Sequence, residues 1–158
     1  MEYKKIYKEF IKNPKYKKLV KENHHGTSRI EHICRVAKVS YGISKFFKLD
    51  YISTTRGALM HDFFLNDELS SKRFRTHPKK AYNNAKKYFE VNEKEKDIIL
   101  SHMFPLTPEM PKYMESHVVS IADKVVSIYE FGRYQVKYTG ALAIIFTLEI
   151  INNINKFI

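Results

Sequence analysis

Six ligand-type side chains follow one another along this chain in the order His32, His61, Asp62, His77, His102 and Asp123, and a fold that uses them together must bring five separate segments to one point. Imidazole nitrogen and carboxylate oxygen suit borderline divalent ions such as Fe, Mn, Ni, Co or Zn, and the sequence does not choose among them. Six protein ligands exceed the four of a structural zinc site. They suit a site for two ions with positions left open for water and a phosphate.

The rest of the composition describes the scaffold. A length of 158 residues favours one domain with a real core. Apolar residues make up 44%, including 11 Phe and 11 Tyr, which argues against disorder. Only five Gly and five Pro point to long regular elements with few turns, hence helices. No segment reads as a convincing strand, so the expected class is all-α, a bundle of about six to eight helices. A single cysteine, Cys34, excludes an intramolecular disulfide framework and fits a reducing cytoplasm. Within a helical pattern it reads as a small buried hydrophobe. The first residues carry no apolar signal-type stretch, and the longest apolar run, 141–151, is interrupted and short of the ~20 residues that span a bilayer. A soluble, cytoplasmic protein without a membrane partner is expected.

The net charge of +11 raises nucleic acid, acidic membrane or anionic substrates as partners. Lys outnumbers Arg 22 to 6 and is spread along helical faces rather than clustered, apart from the first 21 residues. Nucleic acid is therefore not expected as the primary partner. An anionic, phosphate-containing small molecule needs only a local basic site.

Apolar periodicity and cap residues give the elements. Tyr3, Ile6, Tyr7, Phe10 and Ile11 recur at helical spacing up to Pro14, making 1–22 a helical extension. Asn23 to Thr27 reads as a loop. Ser28 with Glu31 forms a capping-box pattern that opens a helix to about Phe47, with His32, Arg35 and Val36 on one side. Asp50 opens the next, with Ile52, Thr55, Ala58 and Leu59 as its apolar stripe and His61-Asp62 at its end. A loop from Phe64 to Arg75 precedes a helix starting at Thr76-His77-Pro78, with His77 at the cap and pointing off the helix end. Asn92 with Glu95 caps another, with His102 in its last turn. Two more are expected, over 112–131 and 139–155. The last is apolar almost all round, through Leu142, Ile144, Ile145, Phe146, Leu148, Ile150 and Ile151, so it belongs either in the core or in a homodimer interface.

Asp123 lies among apolar neighbours, where a carboxylate is costly to bury unless paired or bound to metal. Ser120 and Ser127 share its face and are candidate supporting donors. His24, His25 and His117 read as ordinary loop or surface histidines outside the site.

Arg29 three residues before His32, then Leu59-Met60-His61-Asp62, His77-Pro78, His102 and Ala122-Asp123-Lys124 together resemble the HD superfamily of metal-dependent phosphohydrolases, over roughly 28–130. The closest likeness is to its small, single-domain bacterial members. The resemblance implies a helical HD domain over 1–158, with 28–130 as the metal-binding core. It implies His32, His61, Asp62 and Asp123 on a first ion, His77 and His102 on a second, and Asp62 bridging. It also implies a nucleotide-like phosphate ester or anhydride cleaved by a metal-bridged hydroxide, with His61, Asp62 and Asp123 central to catalysis. Arg29 and Lys124 are then candidate phosphate contacts, and Arg73 and Arg75 could bind anions from the loop.

Departures narrow the branch. The residues after the pair, Phe63-Phe64-Leu65-Asn66-Asp67, lack the Gly-Lys common in the family, and no Gly-Tyr-Pro follows, which disfavours cyclic di-GMP phosphodiesterases. Asn66-Asp67 imitates poorly the Glu-Asp pair of guanosine tetraphosphate hydrolases, and deoxynucleotide triphosphohydrolases are much longer. In the one-metal 5′-nucleotidase branch Asp67 could serve, but His77 and His102 would be spare. The dinucleoside tetraphosphate hydrolases carry the same six-ligand order. Two other classes stay open: an HD fold that senses a nucleotide or metal without turnover, and nucleic-acid binding through the basic N-terminal helix.

Overall fold

Ser28, Asp50 and Asn92 each turn the chain into a helix by accepting a backbone N–H three residues on, from Glu31, Ser53 and Glu95. Each satisfies one of the donors a helix start leaves without an intrahelical acceptor. The computed structural model describes residues 2–24, 26–69 and 73–154. Its helices are α1 (Glu2–Ile11), α2 (Pro14–Lys18), α3 (Arg29–Phe46), α4 (Tyr51–Met60), α5 (Arg73–Tyr88), α6 (Glu93–Ser101) and α7 (Met114–Ile154). The class is all-α. The only strands among the described residues are Asn23–His24 and Thr27–Ser28, a minimal antiparallel hairpin where a loop was expected. Its turn passes through Gly26 at φ +79, a conformation that favours glycine, and the Tyr134 ring occupies the space a side chain there would need.

The core joins Ile33, Val36 and Ala37 of α3 to Ala58, Leu59 and Met60 of α4, Ile98 and Ile99 of α6, and Val119, Ala122 and Val126 of α7. Each fully buried Leu, Ile or Met contributes about 1.5–3 kcal/mol. Ile52, expected on the apolar stripe of α4, is instead exposed. The N-terminal helices close one side: Phe10 and Tyr16 pack with Phe63 and Phe89, and the Tyr16 hydroxyl donates to the Leu59 carbonyl at 2.9 Å. Cys34 is half-buried, and burial raises its thiol pKa. Helices α4 and α6 cross at Gly57, where a Cβ would meet the Ile98 side chain at 2.7–2.9 Å, so glycine is what lets them approach.

Two further expectations are corrected, and one of two alternatives is removed. His77 does not cap a helix, because α5 begins at Arg73 and Pro78 lies inside it. Packing of the His77 ring against Phe64 and His102 outweighs the local proline signal. The helices expected over 112–131 and 139–155 are one helix, α7, up to Ile154, with Asn155 outside the described residues. Gly132 and Gly140 each weaken it by about 1 kcal/mol, but nothing between them stops it. Thr139 even turns its hydroxyl back to the Gln135 carbonyl at 2.9 Å. Finally, the apolar end of α7 is not in the core: each residue from 131 to 148 whose side chain is described is exposed. The side chains of Phe146, Ile150 and Ile151 lie outside the described residues. No described helix is long and apolar enough to cross a membrane.

Candidate metal centre

His61 and His102 each follow the last residue of a helix, α4 and α6, as its C-cap. From there each ring donates its Nδ1–H to the carbonyl three residues back, His61 to Ala58 at 2.7 Å and His102 to Ile99 at 2.8 Å. The bond fixes the tautomer, so both Nε2 atoms present a lone pair inward. The ring centres are 4.9 Å apart. His61 Nε2 is buried with no hydrogen-bond partner among the described residues. A buried acceptor in that condition costs about 1–3 kcal/mol unless something else, such as a cation, takes it.

The other ligands close around this pair. From α3, His32 points Nε2 at Asp123 Oδ1 of α7, at 3.1 Å. The same oxygen is 3.6 Å from His61 Nε2. From α5, His77 Nε2 lies 2.9 Å from His102 Nε2 and 3.4 Å from Asp62 Oδ1, which is 3.6 Å from His102. Two imidazole nitrogens facing each other at that distance, one with its lone pair fixed inward, form a natural cation seat. All six side chains are buried or nearly so. Two ligand sets emerge, His32–His61–Asp123 and His61–Asp62–His102, each within 4.8 Å and sharing His61. The cluster can coordinate one or two metal ions.

Electrostatics divide the histidines: burial would lower the His61 pKa, but the Asp62 and Asp123 carboxylates outweigh it and raise it. Burial and the neighbouring His61 and His77 push the His102 pKa down to about 3, keeping it neutral as a ligand must be. Burial would also lower His32, but the Asp123 and Glu130 carboxylates on its two nitrogens outweigh it and hold it at about 9 without metal. Burial would raise Asp123, yet the His32 and His61 rings hold it well below the usual carboxylate range.

Glu130 is the residue the sequence reading missed. Its Oε2 accepts from His32 Nδ1 at 2.9 Å, while Arg35 Nη1 donates to its other oxygen. Such a carboxylate orients a ligating histidine and raises its basicity. The available signal was spacing: Glu130 lies seven residues, two helical turns, after Asp123 on α7. Ser120 is the supporting donor expected of it, its hydroxyl donating to the His102 carbonyl at 2.9 Å.

A cavity of about 580 Å³ opens over Asp62, His77, His102 and Asp123, with Phe64, Met103, Leu106 and Ile128 as apolar wall. Arg29, Lys124 and Ser127 also line it. Arg29 is buried and donates to the Phe64 carbonyl at 2.8 Å and to Asn66 Oδ1 at 2.9 Å, with its guanidinium 3.9 Å from the Phe64 ring centre. Lys124 Nζ donates to the His102 carbonyl at 2.8 Å and to Ser120, and burial lowers its pKa. Both cations therefore hold backbone of the site as well as facing the cavity. Arg75 is exposed and does not line the cavity; the side chain of Arg73, and His25, lie outside the described residues. A larger hollow of about 860 Å³ near Glu9 and Glu95 holds no comparable ligand set, and its Arg56 is taken up by those two carboxylates.

A family model described as HD domain matches residues 29–127, which is more than half of the chain. Comparison with curated proteins and with solved structures gives no match.

Proposed function

Because the chain belongs to the HD-domain family, we propose that it is a metal-dependent phosphohydrolase acting on a phosphate ester or anhydride of a nucleotide-like small molecule. The observation that carries this reading is the convergence of His32, His61, Asp62, His77, His102 and Asp123 on one buried point beneath a cavity large enough for such a molecule. His32, His61, Asp62 and Asp123 would hold one ion, and His77 and His102, with Asp62 between the two sets, a second. When bound, the ions supply Lewis acidity toward phosphoryl oxygens and make water a competent nucleophile near neutral pH.

The chain's own residues do the rest. The Nδ1 bonds of His61 and His102 place the neutral rings' proton on Nδ1 and aim Nε2 at the centre. Glu130 does the same work on His32, accepting its Nδ1–H so that Nε2 faces the centre. Lys124 and Arg29 place positive charge at the cavity, which favours a phosphate group. Arg73, on the first turn of α5, is proposed as a further anion contact, and Arg75, outside the cavity lining, as a contact only for a substrate that extends beyond it. Phe64, Met103, Leu106 and Ile128 give an apolar face for a base or other flat leaving group. A dinucleoside polyphosphate hydrolase would use the same ligand order. The residue set of the cavity also supports a second reading, a nucleotide sensor without turnover. Among the described cavity residues, the two carboxylates are both ligand candidates, leaving no spare carboxylic acid for the leaving group.

The test is metal analysis of anaerobically purified protein, followed by a phosphate-release screen across nucleotides and dinucleotides. One or two equivalents of a first-row metal are expected, with release falling to background in Asp62→Ala. Stoichiometric metal with nucleotide recovered uncleaved selects the sensor. Protein without metal, or undiminished release in Asp62→Ala, ends the hydrolase reading.

A further inference from the structure

Beyond residue 130, α7 is largely exposed, with one edge of the Tyr134 ring still against Gly26 of the hairpin. Each residue from 131 to 148 whose side chain is described is exposed, and side chains added at Gly132 and Gly140 would meet nothing within 4 Å. Phe131, Tyr134, Tyr138, Ile145 and Leu148 are 48% to 60% exposed. These five side chains present on the order of 500 Å² of apolar surface along one helix face, in the upper part of the roughly 300–600 Å² of the largest patch on a typical monomer.

We propose that a second copy of this chain covers this surface, by antiparallel pairing of the two α7 helices about a two-fold axis near Thr139–Gly140. Phe131, Tyr134, Tyr138, Ala141, Ile145 and Leu148 follow one another at alternating steps of three and four, the spacing of a helix–helix seam. Read backwards, the steps are the same, so the seam is its own complement. Antiparallel pairing sets Phe131 against Leu148, Tyr134 against Ile145, and the large Tyr138 against the small Ala141. A two-fold interface requires such self-complementarity.

Charge selects the second copy over other occupants. The chain carries +11, yet no charged residue occurs in the eleven positions 138–148. Two copies can therefore meet here without the repulsion found elsewhere on their surfaces, and an antiparallel arrangement keeps the two basic bodies at opposite ends. A lipid surface is a poorer fit, because a helix lying on one needs a cationic polar face opposite its apolar one. Residues 131–148 offer only Arg133 and Lys137. This surface is independent of the chemistry at the metal centre.

Light scattering on the full chain tests the assembly, and thiol pairing tests its direction. A mass near twice 18.8 kDa is expected, falling to one copy in Ile145→Glu with unchanged metal content and helical circular dichroism. Phe131 and Leu148 are 17 residues apart, about 25 Å along the helix. Phe131→Cys and Leu148→Cys proteins should each fail to cross-link alone and should form a mixed disulfide together. A monomeric wild type, with or without binding to phospholipid vesicles or to another protein, overturns the proposal. So does a dimer that survives Ile145→Glu, or self-cross-linking of Phe131→Cys alone.

Discussion

Glu130 acts at one remove from the metal centre, and its effect can be separated from that of a ligand. It holds His32 through Nδ1 and is itself held by Arg35. Glu130→Gln keeps the shape but removes the charge that makes His32 a stronger donor. Metal affinity measured by titration calorimetry should weaken roughly 10–100-fold, with circular dichroism unchanged. Equal affinity in the variant would show that Glu130 serves only packing. The six candidate ligands that the fold brings together were legible in the sequence because imidazole and a carboxylate among apolar neighbours are chemically conspicuous. Glu130 was not, since an acid near a helix surface has a solvated reading by default. Arg29 and Lys124 were legible as cations near the site. Their bonds to the Phe64 and His102 carbonyls were not, because the carbonyls of distant segments leave no trace in local sequence.

At the scale of elements, the crossing of α4 and α6 sets the distance between two ligands. Gly57 lies four residues before His61, and Ile98 lies four before His102, so their contact is one turn below both rings. Gly57→Ala forces the helices apart or distorts Ile98. The overpacking should cost about 1–3 kcal/mol, read from the urea midpoint. It should also lower metal occupancy, because His61 and His102 move with their helices. A variant as stable as the parent would show that the crossing has slack. Helix starts were well read wherever a cap side chain announced them, at Ser28, Asp50 and Asn92. The unity of α7 was not, because glycine weakens a helix without ending it, and continuation depends on the absence of a stop. The placement of Pro78 within α5 was likewise decided by what His77 touches rather than by its neighbours in sequence.

For the whole molecule, the candidate ligands come from or beside α3, α4, α5, α6 and α7, so a metal bound there would be coupled to folding. Free metal at a thousand times its dissociation constant stabilises the folded state by about 4 kcal/mol. Chelation should therefore lower the calorimetric melting temperature by roughly 10 °C. A melt that does not move on chelation would mean that the body does not depend on the ions. One further consequence follows from His61 and His102 being C-caps. Helices α4 and α6 both end at the site, and each contributes about half a negative elementary charge from its aligned peptide dipoles. Added to Asp62 and Asp123, these dipoles give the floor of the cavity an anionic character before any cation arrives. The two helix ends draw a cation to that floor, while Arg29 and Lys124 hold positive charge at the cavity wall for an anion. The direction of two helices thus sets apart a floor suited to a cation from a wall suited to an anion.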